Sequence, residues 1–408
     1  MKRKWPVIVL LALSECLAMG LWFSASAVTP VLIHEWQLSQ GAAAWLTLSV
    51  QIGFVVGALV SALLNLADLL PARLVMAAGA LLGAAANAWI AAYVDHLTPA
   101  LLMRFATGAS LALVYPTGMK IIASWMKEDR GLGLGILVGA LTLGTASPHL
   151  LRALGGLQQW RPLMYVSSAL AIAGALIVLL FGHLGPYRAP TPKFNWHYVA
   201  EALRHRGVRL ANFGYLGHMW ELYAMWTWLP IFILESYRER GLPAGHAGMT
   251  TEAAAALIAF AAIAAGGLGS LLAGYLADQW GRSRTTIASM AISGACAVLI
   301  GPLYGYSLVA GGITAVVWGF AIVADSAQFS ASVSELCKRE YTGTALTLQT
   351  SMGFLLTLVS IRLVPTFVSK VGWVWAFAML SAGPLFGIWS MWQLLRSEDA
   401  AKMAGGRG

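Results

Sequence analysis

Twelve continuous apolar runs, each near the length a helix needs to cross a bilayer, limit what this chain can fold into. They fall at about 6–30, 41–65, 74–94, 98–121, 132–153, 162–183, 209–234, 250–276, 285–305, 308–332, 343–366 and 372–395. The runs are apolar at successive positions and do not alternate, so they read as helices rather than barrel strands. Charge agrees: 11% of residues are charged, against about a quarter in a soluble domain. The net charge of +9 could suggest nucleic acid, but Lys and Arg recur in short clusters between the runs instead of gathering in one patch. The expected fold is an all-α polytopic membrane protein whose partner is the lipid bilayer, with no nucleic acid involved.

The basic clusters also set orientation. With the N-terminus inside, 19 of the 26 Lys and Arg lie on the inner side, which predicts both termini in the cytoplasm. The longest connection divides the spans six and six. The expected organisation is a first half over 1–183, a Pro-rich basic cytoplasmic linker over 184–208 containing "GPYRAPTPKFNWHY", and a second half over 209–408. "VAEALRHRGVRL" reads as a short surface helix leading into span seven. The N-terminal "MKRK" followed by an apolar stretch and "SASA" imitates a secretory signal, but the run to Val28 is long enough to span and contains Glu15, so it reads as a retained first span. Cys16, Cys296 and Cys337 show no metal-ligand spacing, and "HEWQL" lacks the second His of a zinc motif. No metal or other cofactor is expected.

One pattern occurs twice. "ECLAMGLW", from Glu15 to Trp22, and "ELYAMWTW", from Glu221 to Trp228, both read Glu-x-x-Ala-Met-x-x-Trp inside a hydrophobic span. The shared residues stand at i, i+3, i+4 and i+7, on one helix face. Other matches follow at similar offsets: "LADLLPAR" after span two and "LADQWGRSR" after span eight, and Arg152 and Arg362 in spans five and eleven. Two parallel six-span repeats are a known transporter architecture.

"GYLADQWGRSR", Gly274 to Arg284, resembles the cytoplasmic signature of the major facilitator superfamily, Gly-x-Leu-Ala-Asp-Arg-x-Gly-Arg-Arg. Asp278, Gly281, Arg282 and Arg284 fit it, while Gln279 replaces the first Arg. In the first-half copy Asp68 and Arg73 remain, and Pro71 stands where Gly is expected. "RFATGASLA", from Arg104, resembles the family's fourth-span motif. Span five, "GALTLGTASPHLLRALGG", loosely resembles the antiporter motif but lacks its Gly-Pro step. The resemblance implies twelve transmembrane helices in two pseudo-symmetric six-helix halves, a loop around Asp278 and Arg282 that latches one transport state, and a central cavity lined by spans one, four, seven and ten. Independently of the name, acids and arginines beside helix ends can pair with each other and with helix dipoles.

Ionisable residues inside spans usually face a cavity or a partner. Glu15, Glu221 and Asp325 lie well inside, and Gln328 and Ser332 share a polar face with Asp325. The resemblance puts the three acids at or near the cavity, as proton-coupling or substrate-binding groups; a carboxyl group in a partly dry cavity can trade its charge for a proton. A permanent structural pair is the competing reading. Trp22 and Trp228 share a face with the acids and suit a flat or cationic substrate, or packing. Trp220, Trp226, Met19 and Met225 read mainly as packing. His218 stands at i−3 from Glu221, where a shared proton is possible. Arg104, Arg152 and Arg362, with His149 beside Arg152, are expected near outer span ends, recruiting an anion or snorkelling to headgroups.

No Walker A loop is present, so an ATP-driven pump is disfavoured. The leading expectation is a secondary transporter, not an enzyme. It would move a small organic metabolite, cation or drug by alternating access with protons as coupling ion, as a monomer in a bacterial inner membrane. The alternatives are a small-anion porter of the nitrate or cyanate type, although spans two and eight carry no Arg, and a non-transporting sensor on the same scaffold.

Overall fold

A computed structural model describes residues 4–126, 130–155, 159–187, 198–200, 204–240 and 250–408. Among the described residues the secondary structure is helical, with no strand. The principal helices are α1 (Lys4–Glu35), α2 (Trp45–Leu63), α3 (Ala72–Tyr93), α4 (Leu97–Leu111), α5 (Tyr115–Ala123), α6 (Arg130–Gly155) and α7 (Arg161–Phe181). Then come α8 (Arg206–Glu239), α9 (Thr251–Trp280), α10 (Arg282–Leu299), α11 (Leu308–Ala324), α12 (Ser326–Leu336), α13 (Arg339–Ala376) and α14 (Ala382–Leu395). α4 with α5, and α11 with α12, are the two parts of one broken span each.

Nine helical stretches among the described residues are long and apolar enough to cross a membrane. The last of them, Thr342–Leu395, contains a turn at Gly372 (φ 71°) and so holds two spans. The 26-residue α6 and the 34-residue α8 supply the others, which agrees with twelve crossings. α8 is less apolar than its neighbours because polar and indole groups such as His218, Glu221 and Trp226 interrupt it. It also begins at Arg206, three residues before the expected start of span seven. Residues 188–197 of the linker and 201–203 of the expected surface helix lie outside the described residues.

Helix pairing repeats between the halves. In the first, α1 packs on α6 and α7, α2 on α4, and α3 on α4 and α7. In the second, α8 packs on α13 and α14, α9 on α11, and α10 on α11 and α14. Each of these second-half pairs is the counterpart of a first-half pair. Across the seam, α6 runs along α9 and α2 along α13. Small residues permit the first of these contacts: a Cβ on Gly267 would lie 3.3 Å from the Gly139 carbonyl oxygen. Gly281, with φ +97°, makes the sharp turn between α9 and α10 that a residue with a Cβ would resist.

An even number of crossings brings both termini to one end of the bundle. Toward the opposite end, every residue of 18–29 in α1 and of 221–234 in α8 is buried. A helix buried all round is enclosed by its neighbours, so these two helices are wrapped on every side there.

Candidate functional site

The two copies of the repeated acid motif have diverged in their surroundings. Glu221 is buried and accepts two hydrogen bonds, from Ser293 Oγ on α10 at 2.9 Å and from Trp318 Nε1 on α11 at 2.7 Å. It ties three helices of its own half together. Glu15 is equally buried, yet neither carboxyl oxygen has a hydrogen-bond partner among the described residues. It reaches toward α5, where a Cβ on Gly118 would stand 3.1 Å from Glu15 Oε2. Leu137 and Met76 sit around the same glycine.

His218 turns away from its expected partner. Its Nδ1 lies 2.8 Å from Asp325 Oδ1 rather than beside Glu221, and both side chains are buried. The approach is close but not aligned as a linear hydrogen bond. Asp325 stands at the break between α11 and α12, where the Gln328 N–H bonds back to the Asp325 carbonyl at 2.9 Å, a tight i+3 turn. The fourth span breaks at the corresponding point: Leu113 and Val114 make i−3 bonds before Pro116 opens α5. Paired discontinuous helices at matching depth are a feature of transporter binding sites.

The Trp pair has also split. Trp228 donates its indole N–H to the Ile361 carbonyl at 2.9 Å and serves packing of α8 on α13. Trp220 likewise donates to the Met379 carbonyl at 3.3 Å. Trp22 instead faces the seam between halves, with ring centroids 4.9 Å from Phe54, 5.8 Å from Tyr223 and 5.5 Å from Phe354. Tyr223 is the residue that sequence reasoning missed here. It joins Trp22, Phe23, Trp226 and Phe354, and its signal was only its place one turn before Trp226.

The basic residues depart most from expectation. Arg104 does not reach toward headgroups; it is wholly buried. Its guanidinium donates to the Leu21 carbonyl at 2.8 Å, the Leu46 carbonyl at 3.2 Å, the Trp22 carbonyl and Ser24 Oγ. It therefore binds α1 and α2 to α4. Arg362 donates across the seam to the Gly41 carbonyl in the single turn preceding α2. Arg152 donates to the Ala27 carbonyl at 2.7 Å, and His149 beside it is fully buried with neither ring nitrogen partnered.

In the loop motif, Arg282 finds a stronger partner than Asp278. It grips Glu335 with two bonds, at 2.8 and 2.6 Å, while Asp278 stands 3.9 Å away. Its third contact, at 2.9 Å, is Gln328, which thereby joins this cluster as well. Arg407 donates to the Asp278 carbonyl, and the Gly408 carbonyl accepts from Ser283 N–H at 3.1 Å. Arg284 and Arg73 are exposed, and the Asp68 side chain lies outside the described residues. No group of three or more His, Cys, Asp or Glu among the described residues could hold a metal ion.

Comparison with known proteins places this geometry in a family. A family model described as Major Facilitator Superfamily matches residues 11–250. Among solved structures, a mutant form of the nucleoside transporter NupG aligns at TM-score 0.72 and the unsubstituted NupG at 0.68. Each is 16% identical and covers 96% of this chain and 100% of its own. The search of curated proteins gave no match.

Proposed function

The chain belongs to the Major Facilitator Superfamily and is a membrane transporter, not an enzyme, and from that premise we propose that it carries a small organic solute in exchange for, or together with, protons. The observation that carries the reading is the buried His218–Asp325 contact, held at the break of the tenth span. A buried charge is tolerated only when paired or neutralised. A proton arriving at Asp325 Oδ1 removes the carboxylate charge beside His218 and loosens α8 at the α11–α12 break, while the Glu221–Trp318 bond still ties α8 to α11. Loss of that proton restores the contact. Glu15, without a hydrogen-bond donor among the described residues, is the second group whose charge needs a proton or a cationic solute to balance it.

The two halves, 1–183 and 209–408, rock about the seam, with the termini and the 184–208 linker on the cytoplasmic face of a bacterial inner membrane. Alternating access moves the solute between the open ends. The buried collars at 18–29 and 221–234 fit a state closed at the end opposite the termini. The nucleoside transporters of similar fold make nucleosides a natural first group of solutes to test. The small-anion alternative is weaker because Arg104 and Arg362 both donate to backbone carbonyls. The test is solute-evoked proton movement in liposomes containing wild type or Asp325→Asn. Loss of proton movement with retained solute binding is the expected result; unchanged proton movement removes Asp325 from the mechanism.

A further inference from the structure

Buried hydrogen-bonding groups almost always have partners, so a local concentration of unpartnered ones marks a place where something else binds. Such a concentration surrounds the aromatic cluster at the seam. Trp22 Nε1, Trp226 Nε1, both polar atoms of Gln51 and Ser351 Oγ are buried without a hydrogen-bond partner among the described residues.

Helix register brings the Gln51 amide beside the rings. Ser26 Oγ and Thr47 Oγ1 are 2.8 Å apart where antiparallel α1 and α2 meet. One turn further along both helices, Trp22 stands opposite Gln51. Phe54, one turn beyond Gln51 on the same face, has its ring centroid 4.9 Å from that of Trp22 and 4.8 Å from that of Phe354. Ser351 precedes Phe354 by one turn on α13. Tyr223 completes the cluster from α8, 5.1 Å from Phe354. The two halves thus meet in a set of flat faces beside a carboxamide that offers one acceptor and two donors.

We propose that this seam is the recognition site for a planar heteroaromatic ring bearing a hydrogen-bond donor next to an acceptor. The ring would stack among Trp22, Phe54, Tyr223 and Phe354, and its polar edge would pair with Gln51. Stacking is indifferent to the details of a ring, whereas a site built to hydrogen-bond discriminates strongly against analogues that lack the edge. The proposal deepens the transporter reading and rests on it for the solute's passage. The cluster is closed in this conformation, so the solute enters when the halves part and the rings separate.

The test is calorimetric titration of the detergent-purified full chain with uracil, adenine and nicotinamide. Cyclohexanecarboxamide, which keeps an amide edge without a flat ring, is the control. The variant is Gln51→Leu, which keeps volume and removes the edge. Because Gln51 has no partner to lose among the described residues, the ligand-free variant should unfold at or above the wild-type temperature. Binding of at least one planar probe, with none of the control, and at least a tenfold loss in Gln51→Leu is the expected result. Failure of every planar probe to bind wild type, or equal binding to Gln51→Leu, overturns the site. Gln51-dependent binding without transport in liposomes would support the site and remove the transport reading. Transport of a solute that no planar probe competes with would overturn the site and leave transport standing.

Discussion

Replacing Glu221 by Leu removes the acceptor for two helices at once, and replacing Glu15 by Leu removes no hydrogen bond among the described residues. Interhelical hydrogen bonds in membrane proteins average about 0.6 kcal/mol and reach about 1.7. Glu221 accepts from Ser293 and from Trp318, so its loss costs about 1–3 kcal/mol. The Trp318 N–H, left unpaired in an apolar setting, pushes the value toward the upper end. Glu221→Gln keeps a carbonyl oxygen for Trp318 and an NH2 that Ser293 can accept, and so should retain most of the stability. Glu15→Leu exchanges an unpartnered polar group for an apolar one and should be neutral or stabilising. At roughly 2–4 °C per kcal/mol, the value for medium-sized domains, Glu221→Leu should unfold a few degrees below wild type in detergent. Glu15→Leu should not fall. Equal unfolding temperatures for the two Leu variants would refute the claim that the repeated acids have taken different jobs.

The remaining predictions concern the seam and the loop cluster. Arg362→Ala removes the exposed tie to the Gly41 carbonyl; a contact of this kind contributes at most about 1 kcal/mol. Labelling of a single cysteine introduced near that end should accelerate by no more than about fivefold, and no change would deny Arg362 a role in closure. Glu335→Gln breaks the two-bond grip on Arg282 and should slow turnover without altering solute preference; a changed preference would contradict a purely gating role. Gly139→Leu forces α6 from α9 and should cost about 1–3 kcal/mol through overpacking, seen as a lower unfolding temperature, whereas Gly139→Ala should be tolerated.

Span number, the two halves and the repeated Glu-x-x-Ala-Met-x-x-Trp face were legible because hydropathy and helical spacing are written along the chain. Partner choice was not. Periodicity says that Glu221 and His218 share a face, but not that Ser293 and Trp318 wait for one while Asp325 waits for the other. Arg282 was expected to pair with the acid four residues before it, yet Glu335, 53 positions later, offers a bidentate acceptor that an i, i+4 neighbour cannot match. Arg104 looked like a headgroup contact because an Arg inside a span is expensive; its burial is sustained by carbonyls of α1 and α2 that no motif announces. The broken fourth and tenth spans left only faint signals, Pro116 and the polar run at Asp325, inside stretches apolar enough to read as continuous.

The most direct test of the central claim is proton movement measured with an internal pH dye in liposomes. It compares wild type, Asp325→Asn, His218→Gln and Glu221→Gln, with a nucleoside panel and other small organic solutes supplied outside. The account predicts solute-evoked proton flux in wild type and Glu221→Gln, and its loss in Asp325→Asn and His218→Gln. Flux that survives in both pair variants and vanishes only in Glu221→Gln would contradict it and return the coupling role to the repeated acid.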